Sequence, residues 1–315
     1  VNYSQLQSAI LGYVQDYETS FILNIPTFVE QAEQRIYNTV QIPALRKNVT
    51  GNIYYDLPGA QYLACPSDFL SVFSLAIINN RGSATTESYE YLINKDVNYL
   101  RAAYPNSNAR GMPRYYALFG PTVTNYTPTT ELSFIVAPTP DITYDVEMHY
   151  YYYPETIVQG KIIAFGFSPG TGYTNGVFYG VPLTGGSGSG ATATIVVAGN
   201  VVTNITIENP GSFYVNGDVL GVAQGSVLGT GVNFSLTVTA ISNSAGRSWL
   251  GDNYDPVLLY GTLVEAYTYL KGEQDVMAFY EKKYQEALGQ LNRLGTGLER
   301  GDAYRDGQAK IKVNP

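Results

Sequence analysis

The stretch "LTGGSGSGATATIVV", Leu183 to Val197, places four glycines between Gly185 and Gly190. Glycine runs of this density cradle phosphates when they open onto a helix, whose free N–H groups and dipole hold the anion. Here Ala191 to Val197 are β-formers, and no Lys or Arg lies between Lys161 and Arg247. The run is therefore expected to be a β connection, not a nucleotide site. His149 is the one histidine of the chain. In an alternating strand Asp145, Glu147 and Tyr151 share its face. That is the setting of a half-buried histidine beside acids, the alternative being a metal site completed by the carboxylates. Cys65 is the one cysteine, so no intrachain disulfide and no cysteine metal cluster forms. It precedes Pro66 with no base nearby in sequence, and a thiol nucleophile would have to recruit the distant His149. No Gly-x-Ser-x-Gly elbow and no His-Glu-x-x-His motif is present. No catalytic, cofactor-binding or metal residue is assigned, no cofactor is expected, and the chain does not read as an enzyme.

The elements around these residues follow from periodicity and punctuation. Ser4 and Gln7 form a capping-box pattern ahead of Leu6, Ile10 and Val14 on one helical face. A second helix is expected with Pro26 in its first turn and Phe28, Val29, Ala32, Ile36 and Val40 at helical spacing, ending before Pro43. Residues 70–78 read as a strand and Tyr91 to Tyr104 as a short helix. The runs "RYYALFG", "TELSFIVAPTP" and "ITYDVEMHYYYYPETI" read as β. After Gln159 the character changes. Between Gly160 and Gly246 the charged residues are Lys161, Glu208 and Asp218. Val/Ile/Thr runs alternate there with Gly/Asn/Ser turns, and "GTGYTNG" (170–176) is echoed by "GSFYVNG" (211–217). Asp255 then reads as an N-cap before Pro256, with Leu259, Leu263, Ala266 and Leu270 following at helical spacing. A last helix carries Met277, Tyr280, Tyr284, Ala287, Leu291 and Leu294 and is expected to stop at Gly295. The charged remainder is expected to be disordered when alone. Neither helical pair has an apolar face sufficient by itself.

The expected class is α+β, with a four-helix bundle closed by the two ends of the chain. The divisions are 1–48 and 247–295 for the bundle halves, 49–159 for an antiparallel β domain, 160–246 for an inserted Gly-rich all-β module and 296–315 for a tail.

Composition sets bounds on function. The chain holds 29 Tyr and 32 Gly in 315 residues, and 14% of residues are charged, against about 25% in an average soluble protein. Tyrosine supplies stiff, amphipathic contact area suited to extended protein interfaces. The net charge of −8 argues against wrapping nucleic acid, which requires Lys and Arg to displace counterions. No apolar run approaches the length of a membrane-spanning helix.

Several stretches carry a resemblance: "FVEQAEQRIYNTVQIPALRKNVTG" (28–51), "CPSDFL" (65–70), "YLINKDVNYLRAAYP" (91–105), "GMPRYYALFG" (111–120) and "VEMHYYYYPETI" (146–157). It continues in "SWLGDNYDPVLLYGTLVEAYTYLKGEQDVMAFYEKKYQEALGQL" and "GDAYRDGQ". Together they resemble the head-to-tail adaptor proteins of short-tailed bacteriophages, relatives of the tail tubular protein A type. The resemblance covers both flanks and leaves out the 160–246 block. It implies a virion protein at the head–tail junction, assembled in the host cytoplasm. Its partners would be further copies of itself in a dodecameric ring, the portal, the tail nozzle and tail fibres, with DNA passing through an acidic lumen and no membrane contact. It also implies that the tail docks on the portal. Arg300, Arg305, Lys310 and Lys312 would pair with portal acids, and Tyr304 would serve as a buried anchor. Two alternatives belong to other classes: a glycan-binding tail component acting through the 160–246 module, and a cell-wall hydrolase.

Overall fold

The computed structural model describes residues 1–306 apart from 57–59, 84, 107, 121–122, 125–126, 129–131 and 223–230; residues 123–124, 127–128 and 296–306 are described as backbone. Among these residues the chain is mixed α+β, with six α-helices and several antiparallel sheets. It divides into two units, Val1–Val40 with Glu155–Pro315, and Gln41–Pro154.

Helix α1 (Tyr3–Val14) begins two residues earlier than the Ser4/Gln7 pattern suggested. The capping box is Asn2 with Gln5. Asn2 Oδ1 accepts the Gln5 N–H at 2.9 Å, and Gln5 Oε1 accepts the Asn2 N–H at 3.0 Å. Starting there lets Tyr3 join Leu6 and Ile10 on the buried face. Helix α2 (Thr19–Thr39) also starts earlier than expected, and Pro26 lies inside it rather than in its first turn. An interior proline costs a helix about 3 kcal/mol. Full burial of Phe21 and Ile25 in the added turns offsets that cost.

The 41–154 unit opens with a single 3₁₀ turn, Pro43–Leu45. Its strands are β1 (Arg46–Ile53), β2 (Tyr62–Ala64), β3 (Phe69–Asn79), β4 (Ser88–Tyr91) and β5 (Ile93–Asn94), then β6 (Tyr115–Leu118), β7 (Val123–Thr124), β8 (Thr127–Pro128), β9 (Ser133–Ala137) and β10 (Tyr144–Tyr152). They form a sheet β1-β10-β3-β4, a sheet β2-β9-β6-β5 and the small pair β7-β8. Among the described residues these strands pair antiparallel except β5 with β6, and an isolated parallel bridge joins Arg110 to Thr139. Strand β10 alternates: Val146, Met148 and Tyr150 enter a core with Leu75, Ile77, Phe134 and Val136. Strand β9 is buried throughout because both of its faces are covered. Phe134 and Val136 face that core, while Ile135 and Ala137 pack with Leu100 of helix α3 (Val97–Ala103). The helix expected over 91–104 is thus only its second half. The Leu92 N–H bonds the Leu75 carbonyl, which draws the first half into sheet, and Asp96 caps the helix by accepting the Asn98 N–H at 2.7 Å.

Residues 162–241 hold β11 (Ile162–Thr171), β12 (Gly176–Gly185), β13 (Ser189–Ala198), β14 (Val201–Ser212), β15 (Val219–Val222) and β16 (Val232–Ile241). They form one sheet ordered β11-β16-β15-β12-β13-β14. That order is the signature of a duplication. If β11–β13 and β14–β16 are two repeats, exchanging them reproduces the same order read backwards. Each repeat lends its first strand to the last strand of the other. The buried alternation matches too: Ala191, Ala193 and Ile195 in β13, Phe234, Leu236 and Val238 in β16.

The sequence echo lies at the bend of each repeat. Pro169-Gly170-Thr171-Gly172-Tyr173 corresponds to Pro210-Gly211-Ser212-Phe213-Tyr214. Gly170 and Gly211 take φ of 63° and 64°, and across the ladder from them Asn233 and Gly190 take 65° and 84°. A Cβ would stand 2.6 Å from the Phe234 nitrogen at Gly170, and 2.8 Å from the Ala191 nitrogen at Gly211. The tyrosine three residues on lies against its glycine. Tyr173 Oη accepts the Phe234 N–H at 3.1 Å, and Tyr214 Oη accepts the Ala191 N–H at 3.4 Å. The next contact is also duplicated: the Tyr173 N–H donates to Asn200 O and the Tyr214 N–H to Gly160 O, both at 3.1 Å. Strand β14 carries Glu208 as the extra residue of a β-bulge, between Asn209 and Ile207, which pair with Thr192 and Ala193 of β13.

Three helices complete the chain: α4 (Trp249–Asn253), α5 (Asp255–Tyr269) and α6 (Gln274–Asp306). Ser248 caps α4 through Gly251 N–H, an element the sequence reading missed. Asp255 is the first residue of α5 rather than its cap, and its carboxylate sits in the first turn, where the helix dipole favours it. Helix α5 packs against α1, α2, α4 and α6. Arg35 of α2 ties three helices together: it bonds Glu281 of α6 at 2.7 Å, lies 3.7 Å from Glu265 of α5 and covers the Tyr284 ring at 4.6 Å. Helix α6 does not stop at Gly295. That residue keeps right-handed helical backbone, and the helix runs on to Asp306, into the segment expected to be disordered. The glycines at 295, 297 and 301 each cost about 1 kcal/mol relative to alanine. No proline follows them within the helix, and Leu298, Glu299, Arg300, Ala303 and Arg305 are strong helix formers.

Candidate assembly site

The best-built polar site is the neck where residues 155–161 and 242–247 lead into and out of the six-stranded sheet. The two strands of the neck bond to each other: Gly160 N–H to Ser242 O at 3.1 Å and Ser242 N–H to Lys161 O at 2.9 Å. The Asn243 side chain donates to Thr156 O at 2.6 Å and Arg247 O at 2.8 Å, while its N–H reaches Glu155 Oε1 at 2.7 Å. Helix α2 supplies two acids one turn apart. Glu30 pairs with Lys161, and Glu33, only 3% exposed, accepts the Ile157 N–H at 2.9 Å. Burial raises the Glu33 pKa to about 7, against the lowering pull of hydrogen bonds from Thr156 and the Ile157 N–H. Glu30 adds to the rise and Lys161 opposes it. The sequence reading missed Glu33. Its signal was position: it stands four residues after Val29 and three before Ile36, on the stripe already assigned to the core.

Beyond the neck, the sheet meets the first two helices directly. The Tyr3 and Phe213 rings lie 5.0 Å apart. Leu23 Cδ2 would stand 3.2 Å from a Cβ at Gly190. A cleft of about 210 Å³ between α2 and β14 is lined by Pro26, Thr27, Glu30, Lys161 and residues 208–211.

The residues singled out for chemistry fall into place one by one. The glycine run is a turn into strand β13, and one of its N–H groups, that of Ser187, donates to the chain's own carboxylate. Asp218 Oδ2 accepts from Ser187 N at 3.1 Å, Ser187 Oγ at 2.7 Å and Val215 N at 2.9 Å. Those bonds, Val215's first, hold the Asp218 carboxyl below its usual range. Cys65 is buried in the core lined by Met148 and Tyr150, and burial pushes its thiol up to about 12. His149 alternates to the other face of β10, so the two are not brought together. There its Nε2 lies 3.4 Å from Glu147 Oε1. Among the described residues no cluster of His, Cys, Asp or Glu has the grouping of a metal site. Arg300, Tyr304 and Arg305 fall in the last turns of α6, described as backbone, and Lys310 and Lys312 lie outside the described residues.

The family model for the SU10 adaptor protein matches residues 1–164, which is more than half of the 315-residue chain. The chain belongs to the SU10 adaptor protein family. None of the curated proteins matches it. The adaptor match takes in α1, α2, the 41–154 unit and the entry strand of the neck, and it ends as β11 begins. The six-stranded sheet and the C-terminal helices lie outside it. Membership marks the chain as a phage adaptor and points to a structural component of the virion that meets other virion proteins.

Proposed function

We propose that this adaptor forms a dodecameric ring under the portal of a short-tailed phage and joins it to the tail nozzle, with fibres attaching nearby. Family membership over residues 1–164 is the observation that carries this reading. Three features support it. The net charge of −8, repeated round a ring, gives an acidic lumen through which DNA slides without adhesion during ejection. Exposed rings such as Tyr13, Tyr17, Tyr91 and Tyr179 supply contact area for neighbours. The neck that joins its two ends and a core of its own support 160–246 as an inserted module, and the packing of α5 against α1, α2 and α6 supports a four-helix bundle.

In this reading residues 296–315 dock on the portal through Arg300, Tyr304, Arg305, Lys310 and Lys312. Truncation after Gly295, followed by mixing with portal-bearing heads, tests the docking: binding is expected to be lost, and undiminished binding would sink it. Electron-microscopic symmetry of the purified protein with and without portal tests the ring.

A further inference from the structure

The two repeats of the six-stranded sheet are equivalent in fold but not in burial. In the second repeat, Asn209, Pro210, Gly211, Ser212 and Phe213 are partly or fully buried. Helices α1 and α2 cover them, with Tyr3 on Phe213, Leu23 against Gly190, and Pro26 and Thr27 across the cleft from Pro210. The equivalent residues of the first repeat are Ser168, Pro169, Gly170, Thr171 and Gly172, with Asn233 in the place of Gly190 and Val232 in the place of Ser189. All of these are exposed except the half-buried Gly170. Val232 is 47% exposed. One copy of a helix-docking face is therefore filled within the chain, and its counterpart is open.

We propose that this open face docks α1 of a second copy of the chain. Charge selects the occupant. The face carries no ionisable side chain, so burying a charged helix against it would strand that charge without a partner. Among the described residues, α1 is the one helix with no charged side chain (YSQLQSAILGYV). Its outward residues Ser4, Gln5, Ser8 and Gly12 are exposed and small or neutral, while Tyr3, Leu6 and Ile10 face inward. The filled face already accepts α1 through Tyr3, beside α2, whose Glu30 is paired by Lys161 there. Gly172 fits this as well. It stands where the second repeat has Phe213, and at φ 81° it leaves space for an incoming side chain, the nearest atom to a Cβ there being Gly231 Cα at 3.6 Å. A contact from the face of one copy to α1 of the next is heterologous, and closes into a ring when the rotation closes.

This inference rests on the ring reading, and one experiment separates the two. The native cysteine is buried, so an engineered pair is read without background. The double variant Val232→Cys with Ser8→Cys is assembled into particles, oxidised and run without reductant. The thermal melt of each single variant serves as a check on folding, since both positions are exposed. A ladder of disulfide-linked multimers, collapsing to monomer on reduction, is the expected result. Linked dimers alone would keep α1 as occupant but overturn the ring. Rings seen by microscopy without intermolecular links would overturn the occupant and leave the ring standing. An intrachain link, or a link to another virion protein, would also overturn it.

Discussion

A single buried carboxyl sets the pH response of the neck. Glu33 is charged in the unfolded chain above about 4.5, but in the folded chain only above about 7. Between those values the folded state holds a proton that the unfolded state has released, so stability falls as pH rises through the window and levels off above it. A shift of this size corresponds to about 3 kcal/mol. Glu33→Gln supplies an amide oxygen in place of the carboxyl Oε1 that accepts the Ile157 N–H, and removes the titration. The variant is expected to show a flatter melting temperature between pH 5 and pH 8 than the parent, and to be more stable by about 1–2 kcal/mol at pH 8. Equal slopes would show that Glu33 does not titrate in that window. Gly170 and Gly211 carry a second prediction at this scale. An alanine at either must hold a positive φ with its Cβ against the partner strand's backbone. Each of Gly170→Ala and Gly211→Ala is expected to cost more than about 2 kcal/mol in urea unfolding. A loss of only a few tenths at either would mean the bend relaxes freely.

At the scale of elements, the helix starts show what local sequence can and cannot specify. The capping chemistry of α1 was legible as a type, but the register was set by tertiary burial of Tyr3, which no local pattern reveals. Asn2→Ala removes one half of the reciprocal box and is expected to cost about 1 kcal/mol in thermal unfolding. Ser4→Ala, the cap suggested by the sequence alone, is expected to be within about 0.5 kcal/mol of neutral. The reverse ranking would restore the later start. Pro26 misled for a related reason: proline punctuates helices locally, yet burial of Phe21 and Ile25 outweighed it. Gly295 misled because a glycine stops a helix only when something favours the left-handed turn after it. The strands of the 162–241 sheet were easier. Their Val/Ile/Thr runs and Gly/Asn/Ser turns marked them as strands, β13 and β14 meeting at Gly199-Asn200, and the Gly-x-x-Tyr-x-Asn-Gly echo marked both bends. The exchange of first strands between the repeats was not legible, because pairing partners some seventy residues apart leave no local trace. Glu33 was hidden by the habit of reading a stripe only through its apolar members.

At the scale of the whole chain, the adaptor match stops where the six-stranded sheet begins, and the sheet has its own core. Its two ends meet at the neck, where Ser242 N–H bonds Lys161 O at 2.9 Å. A chain segment that begins and ends at one point is removable without stretching what remains. Replacing residues 162–241 by a short Gly-Ser linker is therefore expected to leave the helices folded, because Glu33 to Ile157, Glu30 to Lys161 and the α5 contacts all lie outside the deletion. The melting temperature should fall, since Tyr3 loses Phe213 and Leu23 loses Gly190, but circular dichroism should retain the helical signal. The same variant divides the roles of the chain. If the module supplies the contact between copies, the deletion leaves a folded monomer. If the helices and the 41–154 unit supply it, the assembled species persists at full copy number. Native mass spectrometry of the deletion variant beside the parent distinguishes the two. Loss of the helical signal would instead show that the module and the helices fold as one cooperative body, which would defeat the division at 160 and 246.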